Sequence, residues 1–168
     1  DDIYHFEKDS AEYRQEFLET RKREVRHEVD AFLAEIAERR GNLEESLRRN
    51  IRNRVDEAWS VADNLYRHNS ERMGREELAG MIREALRPIR YNDGRGYFFA
   101  TGLDGVEQLF ADRPEFEDRN LMDMMDPSGK PVIRDMIRIA RERGAGYYEY
   151  FWTKPGSPGR DHRKLAYI

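Results

Sequence analysis

The sequence contains no cysteine among its 168 residues. This absence excludes a disulfide scaffold, a thiolate metal site and a cysteine nucleophile. The chain also lacks an apolar run long enough to span a membrane, and its start does not read as a signal peptide. A formal net charge of −4 provides no general attraction to nucleic acid or to anionic membranes. We therefore expect no nucleic-acid partner.

Motifs for metals, cofactors and catalysis are missing as well. The four histidines are scattered without the spacing of metal ligands, and they are His5, His27, His68 and His162. The segment 123–129 resembles a calcium loop only superficially, because it lacks alternating ligands and a terminal glutamate. No phosphate loop, nucleophile elbow or catalytic pair of carboxylates stands out. The sequence predicts no metal, no cofactor and no catalytic residue.

What the chain has in excess is charge. Charged residues make up 38% of it, and hydrophobic residues make up another 38%. A long solvated helix produces this balance, because only a narrow stripe of such a helix is buried. Disorder is the competing interpretation, but an aromatic content of 11% and a clear periodicity favour a folded chain.

The first part of the chain has the periodicity of one long helix. Apolar residues recur at steps of three, four and seven, and they are Leu18, Val25, Val29, Phe32, Ile36, Leu43, Leu47, Ile51, Val55, Ala58, Ala62 and Leu65. We predict a helix over about 8–68 within a stalk of residues 1–72, with a kink or break near Gly41-Asn42. Because the stripe is narrow and resembles that of a coiled coil, we expect a homodimer through this helix.

The second part, residues 73–168, reads as a small α/β region. Its predicted elements are a helix over 75–86, strands over 96–101 and 106–110, a helix over 131–142, a strand over 147–153, a turn over 155–160 and a strand over 164–168. The expected fold class is α+β, with the long N-terminal helix packed on an antiparallel sheet and short helices covering it.

Aromatic residues concentrate in the predicted strands. Tyr148, Tyr150, Trp152 and Lys154 share one face of the third strand by simple alternation. The loop and helix that cover this face could leave a cavity, in which Lys154 would pair with a carboxylate. An aromatic strand is nevertheless more often plain core, and a lysine before a proline is more often a solvated strand end. Both interpretations stay open at this level.

Six segments between residues 87 and 168 occur in a specific order and spacing. They are Gly96-Tyr97-Phe98-Phe99, Asp104-Gly105, Arg119-Asn120-Leu121-Met122-Asp123, Asp126-Pro127-Ser128-Gly129, the helix over 132–137 and the run from Gly144 to Pro155. Together they resemble the Cache family of bacterial receptor domains. The most similar type is the single Cache form, in which a long N-terminal helix precedes one PAS-like sheet.

The resemblance implies an extracytoplasmic, periplasmic sensing domain of a receptor that is anchored in the inner membrane by segments outside this chain. Such domains bind small organic acids, amino acids or similar metabolites, and they signal to chemotaxis, histidine kinase or diguanylate cyclase modules. The resemblance places the ligand on the sheet face opposite the long helix. The residues it implies there are Tyr97, Phe99, Phe110, Ile133, Met136, Tyr148, Tyr150, Trp152 and Lys154.

The chain departs from the family at two places. Where relatives often carry a His-Pro pair, this sequence has Phe110-Ala111, so one polar ligand contact is missing. The chain also stops after its fourth strand, whereas the family ends on a fifth, and we expect the sequence to be a piece of a longer protein that lacks this strand. A coiled-coil adaptor without a ligand is the main alternative function, and a small hydrolase or isomerase is a third.

Overall fold

The computed structural model describes the backbone of residues 2–168 and the side chains of residues 12–168. The first residue of the predicted stalk and the side chain of His5 lie outside the described residues. The chain divides into two compact units, residues 1–47 and residues 48–168. The stalk boundary at residue 72 stays a prediction, since the second unit already includes the C-terminal third of the long helix.

Helix α1 spans Asp2–Asn69 and contains the predicted helix. It runs through Gly41 and Asn42 without interruption, so the helix has no break there, and a kink at this point stays a prediction. A single glycine costs a helix only about 1 kcal/mol. Charged pairs one turn apart, such as Arg39 with Glu35 and Arg40 with Glu44, line the helix on both sides of this point. Each contributes a few tenths of a kcal/mol at most, about 0.3–0.5.

Two shorter helices belong to the second unit. Helix α2 spans Arg75–Leu86, as predicted, with Glu76 and Glu77 in its first turn where they complement the helix dipole. Helix α3 spans Val132–Arg143 and buries Val132, Ile133 and Met136. It ends at a glycine with a positive φ, which is the usual way for an α-helix to terminate.

The strands form two antiparallel hairpins. The first pairs β1 (Phe99–Thr101) with β2 (Glu107–Phe110), and the second pairs β3 (Tyr147–Lys154) with β4 (Ser157–Tyr167). Among the described residues the two hairpins form two separate sheets, which differs from the single sheet that the sequence predicts. The α+β class is confirmed. That a further strand follows Ile168 stays a prediction.

Two strands start three or more residues away from their predicted first residue. The first strand starts at Phe99 and not at residue 96, because Gly96 pairs with Tyr91 to close a small loop. A Cβ at Gly96 would lie 2.1 Å from a ring carbon of Tyr91, so this contact requires glycine. The fourth strand starts at Ser157, which makes the predicted turn over 155–160 wrong. Pro155 and Gly156 turn the chain within two residues, because glycine accepts the φ of 72° found there.

The core of the second unit lies between the two hairpins and helix α3. Its buried members include Leu109, Val132 and Trp152, which are almost fully withdrawn from solvent. Ala58 of α1 belongs to the same cluster, and Val55 packs against it. The last turns of α1 therefore form one side of the core, as predicted for the long helix.

Candidate ligand-binding site

The predicted site residues converge in one place. Six of them are buried in the same cluster, and they are Tyr97, Phe110, Ile133, Met136, Tyr150 and Trp152. Phe99 and Tyr148 are partly buried and pack against it. Lys154 is the exception, because it lies exposed at the end of β3 opposite Ser157. Its role as a carboxylate partner stays a prediction.

Aromatic rings line the centre of this cluster. Phe110 lies 5.7 Å from the ring of Tyr97 and 6.4 Å from that of Trp152, measured between ring centroids. Tyr150 lies 6.3 Å from Trp152 and 5.6 Å from Tyr148. Such tilted and offset pairs are the favoured arrangements of aromatic side chains, and they provide walls that combine apolar area with hydroxyl and indole hydrogen-bonding groups.

Lys164 supplies a positive charge to this cluster. It pairs across the hairpin with Tyr150, which puts its side chain on the aromatic face. Its ammonium group donates a hydrogen bond to the Tyr97 hydroxyl and lies 3.7 Å from the centroid of that ring. No carboxylate of the described residues forms an ion pair with it. Burial lowers the pKa of Lys164 to about 7, and the more distant Asp112 only partly opposes this shift.

Sequence reasoning missed Lys164 because it could not fix the register of this hairpin. The turn pairs Lys154 with Ser157, and a regular ladder from there would place Tyr150 opposite Asp161. An irregularity between Trp152 and Lys154 shifts the register by three residues, so that Tyr150 lies opposite Lys164. A shift by an odd number of residues exchanges the two faces of a strand. The positive φ of 87° at Gly159 lies within the irregular part.

Two polar contacts and one unpaired donor complete the aromatic face. Tyr148 donates a 2.7 Å hydrogen bond to Asp135 Oδ2, which ties β3 to helix α3. The indole N–H of Trp152 is buried and has no hydrogen-bond partner in the protein. The guanidinium carbon of Arg160 lies 4.3 Å from the Trp152 ring centroid. A buried donor without a partner is uncommon in proteins and is a point where a ligand can bind.

The opposite face of the second hairpin is polar and paired. Glu149 accepts hydrogen bonds from Arg48 at 2.7 Å and from Arg163 at 2.6 Å. Tyr147 donates to the carbonyl oxygen of Arg48 at 2.8 Å. These contacts attach the hairpin to α1, and they occupy the carboxylate of Glu149 and the hydroxyl of Tyr147. The aromatic face that holds Lys164 is the better candidate site.

Neither a metal site nor a membrane span is found in the part of the chain that the structure describes. No group of three histidine, aspartate or glutamate side chains there could hold a metal ion. None of the helices there is both long enough and apolar enough to cross a bilayer.

Comparisons with curated proteins connect the chain to bacterial receptors. It is 30% identical over 96 residues to the methyl-accepting chemotaxis protein McpP of Pseudomonas putida, covering 57% of this chain and 17% of that protein. It is 34% identical over 73 residues to the sensor histidine kinase MctS of Rhizobium johnstonii, covering 44% of this chain and 15% of that protein. The chain thus matches less than a fifth of the length of either relative.

Solved structures with a similar fold are sensor domains. A periplasmic sensor domain of a chemotaxis protein superposes with a TM-score of 0.65 at 26% identity, covering 70% of this chain and 81% of that one. A Cache chemosensory domain described for its carboxylic acid recognition superposes with a TM-score of 0.66 at 24% identity, covering 75% and 85%.

The family assignment rests on a match along nearly the whole chain. The sequence model of the Cache domain, of the type named dCache_2, matches residues 4–168. The predicted family is therefore confirmed, while the single Cache subtype stays a prediction. Cache domains are sensing domains and are not catalytic in themselves. This chain belongs to the Cache domain family.

Proposed function

We propose that the chain senses a small carboxylic acid and that Lys164 binds its carboxylate. The observation that carries this proposal is the position of Lys164, a cation on the aromatic face without a carboxylate partner. Placing an ammonium group in such surroundings is unfavourable unless an anion accompanies it. A ligand carboxylate would supply that anion, and the unpaired indole N–H of Trp152 could donate to it as well. The Cache domain known for carboxylic acid recognition takes ligands of the same class.

The size of the ligand limits the affinity to expect. Very small ligands gain at most about 1.5 kcal/mol per non-hydrogen atom, so an acid with five such atoms is limited to roughly micromolar affinity. A thermal-shift screen of short organic acids should therefore use millimolar concentrations, at which a ligand of the folded state raises the melting temperature. A screen in which no acid changes the melting temperature would favour the alternative, an adaptor domain with a plain aromatic core.

Two lysines of the same hairpin provide a matched test of the proposal. Lys164→Met removes the ammonium group on the aromatic face, and Lys154→Met removes the exposed ammonium group at the end of β3. We expect Lys164→Met to weaken acid binding by about 30-fold or more, the usual cost of deleting one partner of a desolvated charge pair. Lys154→Met should leave the affinity within about twofold, as is usual for rim charges. The reverse ranking, measured by isothermal titration calorimetry, would restore Lys154 as the carboxylate partner.

The same proposal places the chain in the extracytoplasmic part of a membrane receptor that works as a homodimer through α1. In residues 12–47, apolar side chains at heptad spacing are 47–72% exposed, and they are Leu18, Val25, Val29, Phe32, Ile36 and Leu43. A second copy of the helix would cover this seam. Ile36→Asp should reduce dimerisation in light-scattering measurements, whereas Ala37→Asp, which adds the same charge beside the seam, should not.

A further inference from the structure

Glu107 is a fully buried carboxyl group with only one oxygen in use. Its relative exposure is 0%. Oε2 accepts a 2.8 Å hydrogen bond from the Thr101 hydroxyl, whereas Oε1 has no hydrogen-bond partner in the protein. Leaving a buried acceptor unpaired costs about 1–3 kcal/mol, so such a group calls for a specific explanation.

A β-bulge decides which way Glu107 faces. Phe99 lies opposite Phe110 in the first hairpin, and Ala100 lies opposite Leu109. A regular ladder would then place residue 108 opposite Thr101, but Glu107 occupies that position and Gln108 is the extra residue. The bulge therefore turns Glu107 to the face of β2 that carries Phe110, which lies 6.4 Å from Trp152 between ring centroids. Without it, Glu107 would share the face of Leu109.

Neighbouring contacts hold this arrangement in place. The segment that follows β2 binds the backbone of Glu107. The amide of Glu107 donates to the carbonyl of Arg119 at 3.0 Å, and the carbonyl of Glu107 accepts from the amide of Asp118 at 2.8 Å. Helix α2 contacts the extra residue, where the Arg83 guanidinium donates to the Gln108 side chain at 3.4 Å. The bulge is thus fixed from both sides, and the direction of Glu107 is built into the hairpin.

The carboxyl group of Glu107 is electrostatically coupled to the tyrosines of the candidate site. Burial is the main cause that raises the pKa of Tyr150, and the charges of Tyr97 and Glu107 raise it further. The pKa of Tyr97, which contacts Lys164, is raised chiefly by burial and to a smaller extent by the same carboxyl group. Geometry and electrostatics therefore agree that Glu107 belongs to the environment of the proposed ligand.

We propose that Glu107 Oε1 accepts a hydrogen bond from a hydroxyl group of the ligand, so that the preferred ligands are small hydroxy acids. This inference rests on the proposed function, in which Lys164 holds the carboxylate. A hydroxy acid complements three groups of the site, namely the Lys164 cation, the Trp152 indole N–H and the free Glu107 oxygen. An unsubstituted fatty acid of the same length would bury Glu107 Oε1 still unpaired. A site built around a hydrogen bond rejects the analogue that lacks its partner.

The test compares ligands that differ by one hydroxyl group. Propionate, lactate and 3-hydroxypropionate are titrated calorimetrically into the unmodified chain, into Glu107→Met and into Glu107→Gln. We expect at least one of the two hydroxy acids to bind about tenfold or more tightly than propionate, as a discriminating buried hydrogen bond would provide. In Glu107→Met the ratio of the two affinities should fall to about one, while the affinity for propionate stays unchanged. Glu107→Gln should keep the preference, because its amide oxygen still offers an acceptor.

The outcomes separate this inference from the proposed function. If no acid binds the unmodified chain, the carboxylate proposal fails first. If all three acids bind with the same affinity, Lys164 keeps its role and the assignment of Glu107 is overturned. A preference for hydroxy acids that persists in Glu107→Met would overturn it as well. Should Glu107→Met not fold, as judged by its melting transition, equal affinities of the three acids for the unmodified chain, or loss of the preference in Glu107→Gln, would still overturn the assignment.

Discussion

Two buried carboxylates of the second unit, Asp126 and Glu107, differ in how far the protein satisfies them. Asp126 is 4% exposed and accepts four hydrogen bonds. Three of them reach Oδ1, from the amide and hydroxyl of Ser128 and from the amide of Lys130, and the fourth joins the Phe151 amide to Oδ2 at 3.0 Å. Glu107 is 0% exposed, and its carboxyl group has a hydrogen bond from the Thr101 hydroxyl and a weaker contact with the Ala100 backbone, while Oε1 has no partner in the protein.

The pKa values of the two carboxyl groups move in opposite directions. Burial alone would raise the pKa of Asp126, but the hydrogen bonds from Phe151, Ser128 and Lys130 outweigh it and lower the pKa to about 2. Burial raises the pKa of Glu107 to about 7, against the weaker effects of Thr101 and the Ala100 backbone. A fully satisfied buried carboxylate holds a loop to a strand. A half-satisfied one leaves hydrogen-bonding capacity for something else.

We expect the largest effect from removing the fully hydrogen-bonded carboxylate, that of Asp126. Asp126→Ala leaves the amides of Ser128, Lys130 and Phe151 without their acceptor, and each orphaned amide costs roughly 1–3 kcal/mol. We expect the free energy of unfolding, measured by urea denaturation, to fall by about 4 kcal/mol, near the upper limit for single substitutions. Ser128→Ala is the control, because it removes one hydroxyl donor and should cost about 1 kcal/mol.

A loss below that of Ser128→Ala would mean that Asp126 is not the anchor of its loop. Glu107→Gln should behave differently from any substitution of Asp126. It removes a buried ionisable group that the protein barely stabilises, so its effect on stability at neutral pH should be small or favourable.

The two carboxyl groups should also make the free energy of unfolding depend on pH in different ways. The folded pKa of Glu107 is raised, so the folded state binds more protons than the unfolded state between about pH 4.5 and pH 7. Its contribution to stability is complete below pH 4.5 and is lost as the pH rises to about 7, by an amount on the order of 3 kcal/mol. The difference in unfolding free energy between Glu107→Gln and the unmodified chain, followed from pH 4 to 8, isolates this group.

Asp126 should show the opposite dependence in a separate window. Its folded pKa is lowered, so its contribution is complete above about pH 4 and is lost as the pH falls towards 2. Asp126→Asn should flatten that acidic decline, with no effect between pH 5 and 7. If both variants changed the same part of the profile, the two carboxyl groups would not have the distinct environments that the structure gives them.

Much of this architecture could be predicted from the sequence, namely those elements whose structure depends only on their own residues. Helix α2 has the predicted bounds because its apolar repeat is followed by Pro88, which ends a helix. The turn Asp126-Pro127-Ser128-Gly129 also forms as predicted, because it consists of residue types that favour turns. The aromatic cluster followed from strand alternation together with the family resemblance. The two charged residues of the site, Glu107 and Lys164, did not follow, since each faces the cluster only because its hairpin departs from regular pairing.

The smallest predicted effect extends the comparison to Lys164, which is desolvated like Glu107 but carries the opposite charge. Its folded pKa is lowered to about 7, so the empty site holds a growing fraction of neutral lysine above that pH. An anionic ligand binds the ammonium form, and binding must then be accompanied by proton uptake. We expect the affinity for the preferred acid to fall about tenfold for each pH unit above 7, or about 1.4 kcal/mol, and to change little below pH 6.

Titrations in two buffers of different ionisation enthalpy would measure the proton uptake directly. Lys154→Met should keep this dependence, since Lys154 is exposed. An affinity that stays constant from pH 6 to 9 in the unmodified chain would mean that the carboxylate binds elsewhere, because a ligand held by Lys164 cannot be indifferent to its protonation.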